Sequence, residues 1–212
     1  KKFLLISTGT WSITFNPFAE KSISDDPDDS NSINYMRING KVVKASRLFL
    51  GNEYNLQIEK LSERFGVSGD YHKSVAFNHE VYNKVSEDFK YHFKWECLED
   101  ENMPKQTNFD FDDYDHAYHQ LMTELVLLQI KSVNNAIGDD KIKTLYIDGG
   151  FSDNDIYIKL LTHHFPKKKI LTTDASLGSA LGAAIAISDT KLNSKFLKEN
   201  YALKKHIPMT LN

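Results

Sequence analysis

A mixed α/β fold, one sheet with antiparallel and parallel strands and helices on both faces, is predicted by three observations. The chain opens with apolar runs arranged as two hairpins, continues into a long helix with an apolar stripe, and ends in strand–helix–strand–helix alternation. Short turns between the early runs require antiparallel pairing. The later connections are long enough for a helix, so they require parallel strands and a right-handed crossover.

The elements follow in order. Residues 2–8 (KFLLIST) and 11–16 (WSITFN) read as strands joined by a glycine-containing turn. Residues 18–34 are rich in Asp and Ser and read as a surface loop. Asn39-Gly40 is the strongest hairpin signal in the sequence and sets strands near 34–38 and 41–49. After Gly51-Asn52 the spacing of Tyr54, Leu56, Ile58, Leu61 and Phe65 predicts a helix that Gly66 ends. Residues 78–96 are weakly helical and aromatic-rich, and 98–110 form an acidic loop around Pro104. The longest helix is expected over 112–137, with Leu121, Leu125, Leu128 and Ile130 on its apolar face and Gly138 as its stop. A strand at 143–148, a helix at 152–164, a strand at 168–173 and helices at 176–188 and 191–199 complete the chain. That makes six strands in one domain, with an inserted region around 66–110.

Composition removes several classes of function. The 212 residues carry 26 basic and 29 acidic side chains, a net charge of −3, so neither nucleic acid nor an anionic membrane is expected as the main partner. The basic runs Lys167-Lys168-Lys169 and Lys204-Lys205 are too short to be more than solvated surface. Cys97 is the sole cysteine, which excludes an intrachain disulfide and a multi-cysteine zinc site and fits a reducing, cytoplasmic compartment. No apolar stretch approaches the roughly 20 residues of a membrane span. Phe3–Ile6 is too short for the apolar part of a signal peptide. The chain begins without methionine, two residues before a strand with the look of a buried one. Such a start is expected where a segment upstream is missing.

Three stretches carry chemistry. In Ser7-Thr8-Gly9-Thr10-Trp11, Gly9 allows backbone N–H groups to approach an anion, and the hydroxyls add donors. Read by itself the stretch is an ordinary hairpin turn. In Asp148-Gly149-Gly150-Phe151-Ser152-Asp153-Asn154 the paired glycines follow a strand and precede a helix. Open α/β sheets bind ligands at such carboxyl ends. The plain alternative is a crowded turn with Ser152 or Asp153 as helix cap. It is not a dinucleotide fingerprint, because the G-x-G-x-x-G spacing is absent. The third stretch, Ser176-Leu177-Gly178-Ser179-Ala180-Leu181-Gly182-Ala183-Ala184, reads as close helix packing.

Taken together and in this order, the three resemble the C-terminal domain of the FGGY carbohydrate kinases, which have the ribonuclease-H-like, actin-like ATPase fold. The Gly-Thr-Trp turn is most similar to the subgroup that includes rhamnulokinase and fuculokinase-like enzymes. The resemblance spans roughly residues 3–188 and implies a nucleotide-binding domain over 1–212. It implies that Thr8, Gly9 and Thr10 grip the terminal phosphates of ATP, and that Gly149, Gly150, Phe151, Ser152 and Asn154 shape the adenosine pocket. It further implies Mg²⁺ between the phosphates, and a sugar held mostly by an N-terminal domain. The catalytic aspartate of the family precedes the hairpin, and nothing acidic lies within Lys1–Ile6, so that base is expected upstream of Lys1. The implied reaction is ATP-dependent phosphorylation of a sugar hydroxyl, with this chain inactive alone.

Other candidates are weaker. Asp148 is a slight candidate for orienting a ribose. Gly51-Asn52-Glu53 punctuates a helix start, with a place near the nucleotide cleft as its alternative. His163-His164 point apart, and His116 with His119 lack a third metal ligand. Asp110, Asp112, Asp113 and Asp115 read as an acidic helix start. A homodimer stays open. The rival functions are a catalytically inactive nucleotide-binding sensor of the actin-like superfamily and an interaction domain with purely structural glycine turns. Only the interaction domain would give no saturable heat with ADP.

Overall fold

The computed structural model describes residues 2–19, 32–37, 39–173 and 203–209. Its sheet contains β1 (Phe3–Thr8), β2 (Ser12–Asn16), β3 (Ser32–Met36), β4 (Val42–Leu48), β5 (Thr144–Gly149), β6 (Lys169–Thr172) and β7 (Lys204–His206), in the spatial order β3-β4-β2-β1-β5-β6-β7. β1 pairs antiparallel with β2 and parallel with β5, so antiparallel and parallel halves meet at β1. β5 and β6 are parallel, as the strand–helix–strand spacing requires.

The Asn39-Gly40 hairpin is present between β3 and β4. Gly40 has φ +79°, and Arg37 N–H donates to Lys41 O at 2.8 Å. Six of the seven strands match expectation. β7 has no apolar alternation to announce it and pairs antiparallel along β6, where Thr172 Oγ1 lies 2.9 Å from His206 Nε2.

Among the described residues four α-helices accompany the sheet: α1 (Leu50–Phe65), α2 (His79–Glu87), α3 (Tyr114–Ile137) and α4 (Asp155–His164). α1 ends where expected, with Gly66 left-handed at φ 65° and its N–H returned to Glu63 and Ser62 carbonyls. α3 starts at the Asp113 cap, whose side chain accepts from His116 N–H. α4 starts later than expected. Its cap is Asn154, accepting from Tyr157 N–H, rather than Ser152 or Asp153.

α3 lies over β2 and β4 and packs against α1, α2 and α4. Leu4, Ile6, Leu121, Leu125, Leu145, Ile147, Ile156 and Leu161 form the centre of the buried core. The helices expected at 176–188 and 191–199, which include the small-residue stretch around Gly178 and Gly182, lie outside the described residues.

Two features depart from the sequence pattern. The weak helix expected over 78–96 stops at Glu87, and residues 91–97 belong to no helix or strand. Tyr91, Phe93 and Trp95 alternate with period two, and Phe93 and Trp95 are buried. Buried carboxylates replace a β-partner: Glu124 accepts from His92 and Phe93 N–H, and Glu53 accepts from Glu96 and Cys97 N–H. Each carboxylate also accepts from a glutamine one helical turn away, Gln120 or Gln57.

The second departure is in β2, where the buried side chains are the polar ones, Ser12, Thr14 and Asn16. Ser12 Oγ donates to Gln129 Oε1 at 2.5 Å, and Gln129 Nε2 donates to Thr14 Oγ1 at 3.1 Å. Ser132 Oγ donates to Ser46 Oγ at 2.9 Å. A hydrogen-bonded layer thus joins α3 to the sheet, and each buried hydroxyl within that layer has a partner.

Candidate functional site

The site is built where β1 and β5, side by side and parallel, both end. Thr8 pairs with Gly149 in the last rung, so the turns that follow emerge next to each other. Open α/β sheets bind ligands at such carboxyl ends.

Thr8 joins the two turns. Its buried hydroxyl donates to Asp148 O at 2.6 Å and accepts from Phe151 N–H at 3.0 Å, while its carbonyl accepts from Gly150 N–H at 2.7 Å. Gly149 is required by this closeness: it has φ +90°, and a Cβ there would sit 1.9 Å from Thr8 O. The opposite side of the first turn rests on α1. A Cβ on Gly51 would sit 1.9 Å from Gly9 O, and Asn52 N–H donates to Thr10 O at 3.1 Å. Within the turn, Gly9 N–H donates to Trp11 O at 2.9 Å.

A cleft of about 230 Å³ opens between these parts. Of the residues expected from sequence, Gly9, Thr10, Gly150, Phe151 and Asn154 line it together. Thr8, Gly149 and Ser152 stand behind the lining. Ser152 is buried, and its N–H donates to Gly149 O at 2.9 Å. Gly51, Tyr54 and Asn55 of α1 complete the wall. Gly51 carried a faint sequence signal as the glycine of a helix start. Tyr54 and Asn55 carried none, because Tyr54 fits the apolar stripe and Asn55 falls between its members.

The remaining candidates lie elsewhere. Asp148 does not line the cleft; its Oδ1 accepts from Gly149 N–H at 2.9 Å. His119 is buried on α3, where Nε2 accepts from Asn78 N–H at 2.9 Å and Nδ1–H therefore donates to Asp115 O at 2.7 Å. With both ring nitrogens committed, and with burial lowering its pKa, it is a neutral structural histidine. Among the described residues no group of three His, Cys, Asp or Glu side chains is placed to hold a metal ion. No described helix is long and apolar enough to cross a membrane.

Behind the cleft wall is a cluster of tyrosines. Tyr54 OH lies 3.0 Å from Tyr118 OH, which accepts from Asn154 Nδ2 at 2.8 Å. The Tyr54 ring meets Phe151 edge-on, 5.0 Å between centroids. Burial first, then the charge and hydrogen bond of Tyr118, raise the Tyr54 pKa far above its ordinary value. Burial likewise raises Tyr118.

No family model matches the chain, and no curated protein matches it in sequence. Solved structures do match in shape. A carbohydrate kinase from Novosphingobium aromaticivorans superposes with TM-score 0.67 at 17% identity, over 100% of this chain and 43% of that one. Xylulose kinase from Rhodospirillum rubrum gives TM-score 0.62 at 14% identity, over 98% of this chain and 43% of that one. Plasmodium falciparum glycerol kinase with ADP gives 0.55 at 15% identity, over 92% of this chain and 40% of that one. The chain therefore spans less than half the length of these structures. Its seven-stranded mixed sheet shares its fold with the matched part of these kinase structures.

Proposed function

We propose that this chain is the nucleotide-binding, C-terminal domain of an ATP-dependent carbohydrate kinase of the FGGY type. The observation that carries the proposal concerns two glycines. Gly9 and Gly150 face the cleft, and neither is demanded by the fold: a Cβ would meet nothing nearer than Trp11 O at 3.9 Å or Thr8 O at 4.0 Å. Both have negative φ. The absent side chains leave backbone open to a ligand on the two turns whose sequences resemble the phosphate and adenosine turns of that family.

In this reading Gly9 and Thr10 meet the terminal phosphates, with the Thr10 hydroxyl as a donor. Gly150, Phe151 and Asn154 border adenosine. Thr8, Gly149 and Ser152 hold the two turns in register from behind. Bound Mg²⁺ would neutralise phosphate charge. Phosphoryl transfer asks a protein mainly for positioning and charge stabilisation, and rigid turns supply the first of these. The aspartate that accepts the hydroxyl proton, and most sugar contacts, belong to a domain upstream of Lys1. Closure of that domain on this one would exclude water and limit ATP hydrolysis. The Gly9-Thr10-Trp11 turn favours the rhamnulokinase and fuculokinase-like subgroup. ATP use and the substrate class favour the cytoplasm as the compartment of such an enzyme.

Calorimetry and a coupled kinase assay on the 212-residue chain test the proposal. Saturable, weak binding of Mg·ADP without sugar-dependent ADP release is expected. Absence of binding would overturn the nucleotide reading, and sugar-dependent ADP release would overturn the assignment of the base to an upstream domain.

A further inference from the structure

A chain of polar groups runs from α4 to the cleft, and the direction of its hydrogen bonds can be worked out. Asn154 Oδ1 accepts from the backbone N–H of Tyr157 at 2.9 Å. A backbone N–H can only donate, so the orientation of the amide is fixed and Nδ2 faces Tyr118, donating to its hydroxyl at 2.8 Å. Tyr118 is fully buried, and its own O–H needs an acceptor. Its other hydrogen-bond partner among the described residues is Tyr54 OH at 3.0 Å. The order of donation is therefore Asn154 to Tyr118 to Tyr54.

Two hydrogens remain without an acceptor among the described residues: the O–H of Tyr54 and the second N–H of Asn154 Nδ2. Both residues line the cleft. We propose that Tyr54 and Asn154 present a donor-only wall to the bound nucleoside, and that Tyr118 is the positioning residue that sets this polarity. The ligand atom seated there is an acceptor, a ring nitrogen of the base or an oxygen of the sugar. An exocyclic amine in the same place would face two donors. The inference rests on the nucleotide reading above. Burial, the largest influence on Tyr54, keeps its phenol protonated at any ordinary pH.

Tyr54→Phe removes the donor and keeps the ring against Phe151. In calorimetry with Mg·ADP it should weaken binding roughly 5- to 10-fold, the loss of one hydrogen bond. The source of the acceptor is found with analogues that lack one acceptor each: 1-deaza-, 3-deaza- and 7-deaza-ADP, and 2′- and 3′-deoxy-ADP. The Tyr54→Phe penalty should vanish on one of them and persist on the others. Tyr118→Phe frees the Tyr54 hydroxyl to accept as well as donate, so discrimination between ADP and that analogue should shrink. A purely structural role would lower melting temperature without changing this selectivity.

An equal Tyr54→Phe penalty on every analogue, or none on ADP, overturns the donor wall. Should a variant fail to fold, wild-type protein suffices: if all analogues bind as tightly as ADP, the wall is overturned. If wild-type protein binds no ADP at all, the nucleotide reading falls and this inference with it.

Discussion

Four glycines surround the candidate site, and they divide by what limits them. Gly51 and Gly149 are held against backbone oxygens of the first turn. Gly149→Ala places a methyl into Thr8 O, and it also forces a side chain onto a left-handed backbone at about 1–2 kcal/mol. Gly150→Ala meets nothing nearer than Thr8 O at 4.0 Å, so the fold should tolerate it within roughly 1 kcal/mol. Its methyl would enter the cleft. The expected outcome is a clear loss of melting temperature for Gly149→Ala, and for Gly150→Ala a normal melt with weakened Mg·ADP binding in calorimetry. The sequence marks both glycines of the pair equally. Which one answers to packing and which to a ligand depends on Thr8, 141 positions away from Gly149 in the chain and visible only once β1 and β5 are paired.

At the level of elements, the irregular stretch 91–97 is held between α1 and α3 by two carboxylates in place of a β-ladder. Burial is the larger influence on Glu124 and raises its pKa to about 7, despite bonds from Gln120, His92 and Phe93 that favour the charged form. An acid raised in the folded state binds more protons folded than unfolded between the unfolded carboxyl range and about pH 7. Its contribution is thus most favourable below about pH 4–5 and declines as the pH rises towards 7, by ~1.4 kcal/mol for each pH step of one across that window. Melting curves from about pH 5 to 8 should show this decline in the wild type and a flatter profile in Glu124→Gln. The same stretch shows why 78–96 misleads as sequence. Aromatic residues at alternate positions suit a strand, but none of the described strands pairs with them. Their backbone partners are side chains on helices whose glutamates and glutamines look like ordinary solvated turns. β2 misleads in the opposite way: its identity as a strand is plain, yet it buries Ser12 and Thr14 because Gln129 and Ser132 of α3 supply their partners.

For the molecule as a whole, order of elements was more legible than contact. Strand–helix alternation and the Asn39-Gly40 hairpin determine the mixed sheet, since each is a local signal with one topological consequence. The site needed two distant motifs to meet, and their resemblance to one family anticipated that meeting. In the α1 wall, Gly51 carries only the signal of a helix start, and Tyr54 and Asn55 have no local signature because helix periodicity explains them equally well. The short turn after β1 is where the parts converge. Gly150 and Phe151 amides bond to Thr8, and the Asn52 amide bonds to Thr10, so three separate segments share one anchoring point. In hydrogen–deuterium exchange these three amides should open in a single cooperative event rather than singly. Mg·ADP should slow all three by a common factor. The turn would then report, from one place, on the occupancy of the whole cleft.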